Sequence, residues 1–132
     1  LSKGKGLMLC FLDLGKEPSK HILQDLPAVQ KALDAWGGGV LFLTPDDKAA
    51  TTSAIPAFSG LPRHTAWGID NGRALLHAAT GALQIDFNDN FPLILYLSRN
   101  GGILYSSAGY RIGTGEALLK VIRQEMAITT PP

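Results

Sequence analysis

FPLILYLSRNGGILYSSAGY, residues 91–110, reads as two strands joined by a tight turn. Pro92–Leu97 (PLILYL) and Ile103–Ala108 (ILYSSA) are largely apolar runs of strand length on either side of Arg99-Asn100-Gly101-Gly102. Asparagine and glycine accept the left-handed backbone that a short reversal requires, so this spacing predicts an antiparallel hairpin. Beyond it, Leu118, Leu119, Ile122 and Met126 share one side of a helical pattern over Glu116–Met126. The chain is therefore expected to close with strand, strand and helix, and then a frayed tail at Thr129–Pro132.

Toward the N-terminus, Leu7–Leu14 (LMLCFLDL) is nearly continuous in apolar residues. Such runs suit a strand covered on both faces, as in a parallel sheet flanked by helices. Gly15–Ser19 breaks the pattern, and Ser19 suits a helix N-cap, its hydroxyl accepting an early backbone N–H. Ile22, Leu23, Leu26, Val29, Ala32, Leu33 and Trp36 follow at helical spacing. Pro27 should kink that helix and Gly37-Gly38-Gly39 should end it. Val40–Thr44 (VLFLT) is a second buried strand, completing a right-handed strand–helix–strand unit. Within Pro45–Pro62 a short helix is expected over Asp46–Ala50 and loop elsewhere. Thr65–Ile69 reads as a short strand, Asp70-Asn71-Gly72 as a turn, and Arg73–Ala79 as a short helix stopped near Gly81. The order predicts an α/β layer fold: a central mixed sheet with helices on both faces and a C-terminal hairpin plus helix.

Composition agrees and excludes several functions. The 132 residues are 45% apolar and 17% charged, enough for one core and too few for two. Residues 7–126 are expected to form a single domain, with 1–6 and 127–132 as tails. Twelve basic residues balance eleven acidic ones, and no basic stripe suggests nucleic acid. No apolar run approaches the ~20 residues of a membrane span. The chain starts at Leu1 without an apolar leader segment, which reads as a processed product or a domain of a longer protein. One cysteine, Cys10, precludes an intrachain disulfide and a four-cysteine metal site.

Five features in order resemble the thioredoxin-like family, over roughly residues 7–126. In that family an aspartate near the end of the first long strand precedes the first cysteine of a CxxC motif by six residues. A proline then kinks the helix five residues past the second cysteine. Asp13 and Pro27 meet both spacings and place the motif at Ser19-Lys20-His21-Ile22. Phe91-Pro92 is similar to the family's cis x-Pro bond before the hairpin, and Gly109 to the glycine closing the second hairpin strand. TAWGIDNGRALLHAATGAL (residues 65–83) is similar to the extra strand–turn–helix of the membrane-anchored, TlpA-like branch. The fold-marking residues are thus Asp13, Pro27, Pro92 and Gly109.

The chain departs from the family where the chemistry lies. Ser19 and Ile22 stand where both thiols are expected. Disulfide exchange needs an attacking thiolate and a resolving thiol. The resemblance therefore implies the fold without the redox activity, since fold alone does not carry function. It also implies a surface of Glu17, Pro18, Ser19, Lys20, His21, Asn90, Phe91 and Pro92, where redox relatives pair with an extended peptide beside the motif helix; the alternative is that Phe91-Pro92 only ends the preceding loop and sets the hairpin register. The EPSKH stretch is further similar to non-redox modules at the C-termini of bacterial transglutaminase-like proteins. Any Cys-His-Asp machinery would then lie in another domain.

The other chemistry-bearing residues have simpler readings. Cys10 lies mid-strand, where a thiol behaves as a small core hydrophobe rather than a nucleophile. Ser19 and His21 are two apart on a helix and do not face each other, against a hydrolytic pair. His64 and His77 lack metal-ligand spacing. Asp86–Asn90 opens like a calcium loop, but Phe91 and Leu97 stand where glycine and glutamate are needed. Gly113-Thr114-Gly115 reads as a helix entry rather than a phosphate cradle. The expectation is a non-redox binding or structural module of a larger bacterial protein, with no catalytic residue, cofactor or metal of its own. Its partner would be a peptide segment, a protein or a neighbouring domain, and the family resemblance implies a periplasmic, cell-envelope or secreted location. The alternative is thiol–disulfide chemistry through Cys10 or a partner's cysteines.

Overall fold

The computed structural model describes residues 6–13, 17–45, 64–84, 87–88, 90–109 and 113–129, with backbone alone at 17, 18, 45, 72 and 125–129. The expectations over 46–63, including the helix at Asp46–Ala50, lie outside the described residues. Five strands form one sheet: β1 (Leu7–Phe11), β2 (Gly39–Pro45), β3 (Thr65–Asp70), β4 (Leu93–Leu97) and β5 (Ile103–Ala108), in the order β3-β2-β1-β4-β5. β1 pairs parallel with β2 and β2 parallel with β3, while β4 runs antiparallel to both β1 and β5. The sheet is mixed, as the sequence predicts.

Strand alternation divides the core into two layers. Met8, Cys10, Val40, Phe42, Ile94 and Tyr96 point to one face. There they meet Ile22 and Leu23 of α1 (Glu17–Asp25), Leu33 and Trp36 of α2 (Gln30–Trp36), and Leu118, Leu119 and Ile122 of α4 (Thr114–Thr129). Phe11, Leu43, Leu93 and Leu95 point to the opposite face and pack with Phe87, Phe91 and Leu76 of α3 (Ala74–Leu83). Each of the three inner strands thus supplies side chains to both layers, which is why β1, β2 and β4 carry so few polar residues.

The break at Pro27 takes a definite form. Leu26–Val29 is a 3-10 segment between α1 and α2, because proline has no N–H to donate and crowds the preceding turn. Gly37 ends α2 at φ 76°, donating its N–H to the Leu33 carbonyl at 3.1 Å. In the hairpin, Ser98 N–H donates to Gly102 O at 2.7 Å and Gly101 N–H to Ser98 O at 2.9 Å, with Gly101 at φ 92°.

Five expectations need correction, the first being that the last helix runs over Thr114–Thr129 rather than Glu116–Met126, so that 127–129 are helical rather than tail. β1 ends at Phe11 rather than Leu14, although Leu12 N–H still bonds Leu43 O at 2.8 Å. Ser19 is not an N-cap, since α1 already begins at Glu17. Asn71–Arg73 forms a 3-10 turn rather than a simple reversal at 70–72. α3 runs through Gly81 to Leu83, because a single glycine costs only ~1 kcal/mol in a helix and does not by itself end one.

Gly109 closes β5 at φ 81°, and its N–H donates to Pro92 O at 2.9 Å. A Cβ there would lie 2.7 Å from Asn90 Oδ1. Gly109→Ala is expected to destabilise the fold by about 1–2 kcal/mol, from the left-handed backbone and the crowding of Asn90. Urea denaturation measures this as a lower midpoint at unchanged slope.

Candidate functional site

β1, the start of α1 and the start of β4 meet at one end of the sheet. Ser19 is the third residue of α1 and is fully buried. Its hydroxyl oxygen accepts the Asp13 N–H at 2.9 Å, so the start of α1 is tied to the chain leaving β1. Phe11 pairs with Leu93, which puts Pro92 beside Leu12, one step past the last pair. The Phe91–Pro92 bond is cis. Ser19, Asp13 and Pro92 therefore gather at the same end of β1.

Within the motif positions, Ser19 and Ile22 are buried, His21 is exposed and Lys20 is half-buried. Ile22 belongs to the core layer of α1, α2 and α4. Ser19 and His21 thus lie on different sides of α1, which leaves no serine–histidine pair. Asn90 is exposed and its N–H donates to Phe87 O at 3.0 Å, whereas Phe91 and Pro92 are buried. At this end His21 and Asn90 are exposed and Lys20 is half-buried.

Cys10 lies in the middle of β1 with no exposed surface. Burial pushes its thiol pKa far up, because the thiolate would lose all hydration. A thiol in that state is neither nucleophile nor ligand at neutral pH. His64 and His77 are both exposed, on β2's flank and on α3. Among the described residues, no three His, Cys, Asp or Glu side chains lie close enough to hold a metal ion. Nor is any helix among them long and apolar enough to cross a membrane.

One cluster escaped the sequence reading. Asp70, at the end of β3, is buried, and its two carboxylate oxygens accept the N–H groups of Leu75 and Leu76 at 2.9 Å each. This carboxylate satisfies two amides that the first turn of α3 leaves without helical acceptors. Arg73, between them, has a left-handed backbone at φ 57° and holds its guanidinium 5.3 Å from the centre of the Phe91 ring. The available signal was an aspartate directly before a helical pattern, which the adjacent Asn71-Gly72 pair disguised as a turn.

Comparison with solved structures gives a consistent answer. The exposed lipoprotein thioredoxin Etrx1 of Streptococcus pneumoniae superposes with a TM-score of 0.67 at 14% identity, over 93% of this chain and 87% of that one. StoA of Bacillus subtilis gives 0.64 at 17% identity, over 89% and 82%. The bacterioferritin comigratory protein of Xanthomonas campestris, described with alkyl peroxide reduction activity, gives 0.65 at 18% identity, over 92% and 80%. The fold is thioredoxin-like. No protein-family model matches the chain, and no curated protein matches it by sequence.

Thioredoxin-like thiol–disulfide proteins work with two thiols, and this chain has one, inside the sheet. In the native state Cys10 is expected to resist a disulfide reagent at pH 8 and to react fully in denaturant, read as thiol equivalents released. Ser19→Ala strands the Asp13 N–H and is expected to cost about 1–3 kcal/mol. Asp70→Ala should cost about 2 kcal/mol through the two freed amides. Both are measured by denaturant titration.

Proposed function

We propose that this chain is a non-redox thioredoxin-like module that binds an extended peptide segment, from a partner protein or a neighbouring domain. The observation that carries the reading is the state of the motif positions. Ser19 is buried with its hydroxyl bonded to Asp13 N–H, Ile22 is core, and the one thiol is sealed in β1. Neither motif position can supply a thiolate, and hydroxyl oxygen does not exchange with disulfide sulfur.

The binding surface is Glu17, Pro18, Ser19, Lys20, His21, Asn90, Phe91 and Pro92. Ser19 and Phe91 act from beneath it, holding the backbone, while His21, Lys20 and Asn90 offer polar contacts. An extended segment alongside residues 90–91 would gain main-chain hydrogen bonds without cysteine chemistry. The module is one domain over residues 7–126 of a larger bacterial protein, and a transglutaminase-like partner domain is one such context. Secreted and lipoprotein thioredoxin-like proteins among the similar structures support an envelope or extracellular location.

Two measurements test this. In insulin reduction with dithiothreitol, the chain is expected to give the uncatalysed rate; turnover abolished by Cys10→Ser would establish the thiol–disulfide alternative instead. In peptide selection followed by amide NMR, the best binders are expected to shift Lys20, His21, Asn90 and Phe91. Shifts confined to other surfaces would reject the assigned site.

A further inference from the structure

The proposed peptide surface has a buried side as well as an open one. Asn90 is exposed, whereas Phe91 is buried in the core layer that also holds Phe11, Leu43, Leu76 and Phe87. Phe87 meets the Phe91 ring edge-on at 5.0 Å, and the Phe87 carbonyl accepts the Asn90 N–H at 3.0 Å. The backbone at 90–91 is therefore tied to the seat of that ring. Arg73 stands over the same ring, its guanidinium 5.3 Å from the centre.

The start of α3 delivers Arg73 to that place. Buried Asp70, at the end of β3, accepts the Leu75 and Leu76 N–H groups at 2.9 Å each and so ties the two sides of the 3-10 turn Asn71–Arg73 together. Leu76 in turn packs into the same layer as Phe91. Arg73 ends the turn, half-buried, at φ 57°. A left-handed backbone is disfavoured for a residue with a Cβ and persists where surrounding structure enforces it. The glycine of this stretch stands one residue earlier, at 72, and does not relieve position 73. The strained position thus keeps a long cationic side chain, and that side chain covers the ring beneath the peptide surface.

We propose that Arg73 is a positioning residue of the peptide surface. It touches no peptide and acts through the Phe91 ring. A cation over an aromatic face is attracted by the electron-rich face of the ring. Here that attraction joins the Asp70-anchored start of α3 to residues 90–91, the backbone an extended peptide would pair with. The positioning role rests on the peptide-binding reading of that backbone, whereas the coupling of Arg73 to Phe91 does not.

Amide hydrogen exchange in the free chain, followed by titration with the tightest peptide selected on the parent chain, provides the test. Arg73→Asn keeps a residue type that tolerates the left-handed backbone and removes the cation, and Arg73→Lys restores the cation. In Arg73→Asn the Asn90 amide is expected to exchange about fivefold faster than in the parent, with Leu75 and Leu76 unchanged. A general loosening of α3 would quicken Leu75 and Leu76 instead. The selected peptide is expected to bind Arg73→Asn about fivefold more weakly and Arg73→Lys within about twofold of the parent. All are compared far below their urea midpoints, where each chain is folded. In a Phe91→Leu background, Arg73→Asn is expected to have no further effect on exchange or affinity. The proposal is overturned by unchanged Asn90 exchange in Arg73→Asn, by a loss that Arg73→Lys shares in full, or by an undiminished effect in Phe91→Leu. Faster exchange at unchanged peptide affinity overturns it too. A parent chain that selects no peptide overturns the peptide-binding reading and the positioning role with it, and the exchange data separate that outcome from a failure of the coupling.

Discussion

β1 is paired along both edges and covered on both faces, with Leu7 and Leu9 half-buried. β2 pairs along one edge and β4 along the other, Met8 and Cys10 are sealed beneath α1, α2 and α4, and Phe11 is sealed beneath α3. A strand so placed has few degrees of freedom, since a one-residue slip would exchange every side chain between the two core layers. The groups at its C-terminal end inherit that rigidity. Asp13 N–H reaches back to Ser19, and the Phe11–Leu93 pair sets Pro92 beside the same turn. The candidate surface is thus positioned by a central strand whose own residues take no part in it.

The same enclosure decides the chemistry. A cysteine in β1 is held away from water and from every partner, so Cys10 contributes volume and apolar contact rather than reactivity. At the start of α1, where the amides and helix dipole would favour a thiolate, the chain has a serine that spends its oxygen on one backbone bond. A hydrogen bond of 2.9 Å positions the start of the helix against the exit of the strand.

Much of this was legible in the sequence because it depends on local pattern. Continuous apolar runs marked β1, β2 and β4, the Pro27 break appeared as a 3-10 segment, and the hairpin followed from Arg99–Gly102. The order of five weak motifs carried the fold, which the solved structures support. What stayed hidden depends on distance in space. Ser19 has the composition of an N-cap, and only the close passage of β1's exit reveals that its oxygen bonds Asp13 N–H instead. Asp70 and Arg73 sit in a D-N-G stretch that resembles any turn. Their roles, as acceptor for α3 and as cation over Phe91, arise from side chains that meet only after the sheet has closed.

The fold is thioredoxin-like, and we propose that Ser19 and Ile22 stand in it where redox members carry two thiols. The double variant Ser19→Cys/Ile22→Cys tests it most directly, in insulin reduction driven by dithiothreitol. The account predicts that the folded variant forms a 19–22 disulfide and catalyses the reaction, while the parent chain gives only the uncatalysed rate. A variant that is folded but forms no such disulfide and gains no turnover would contradict the placement of the motif.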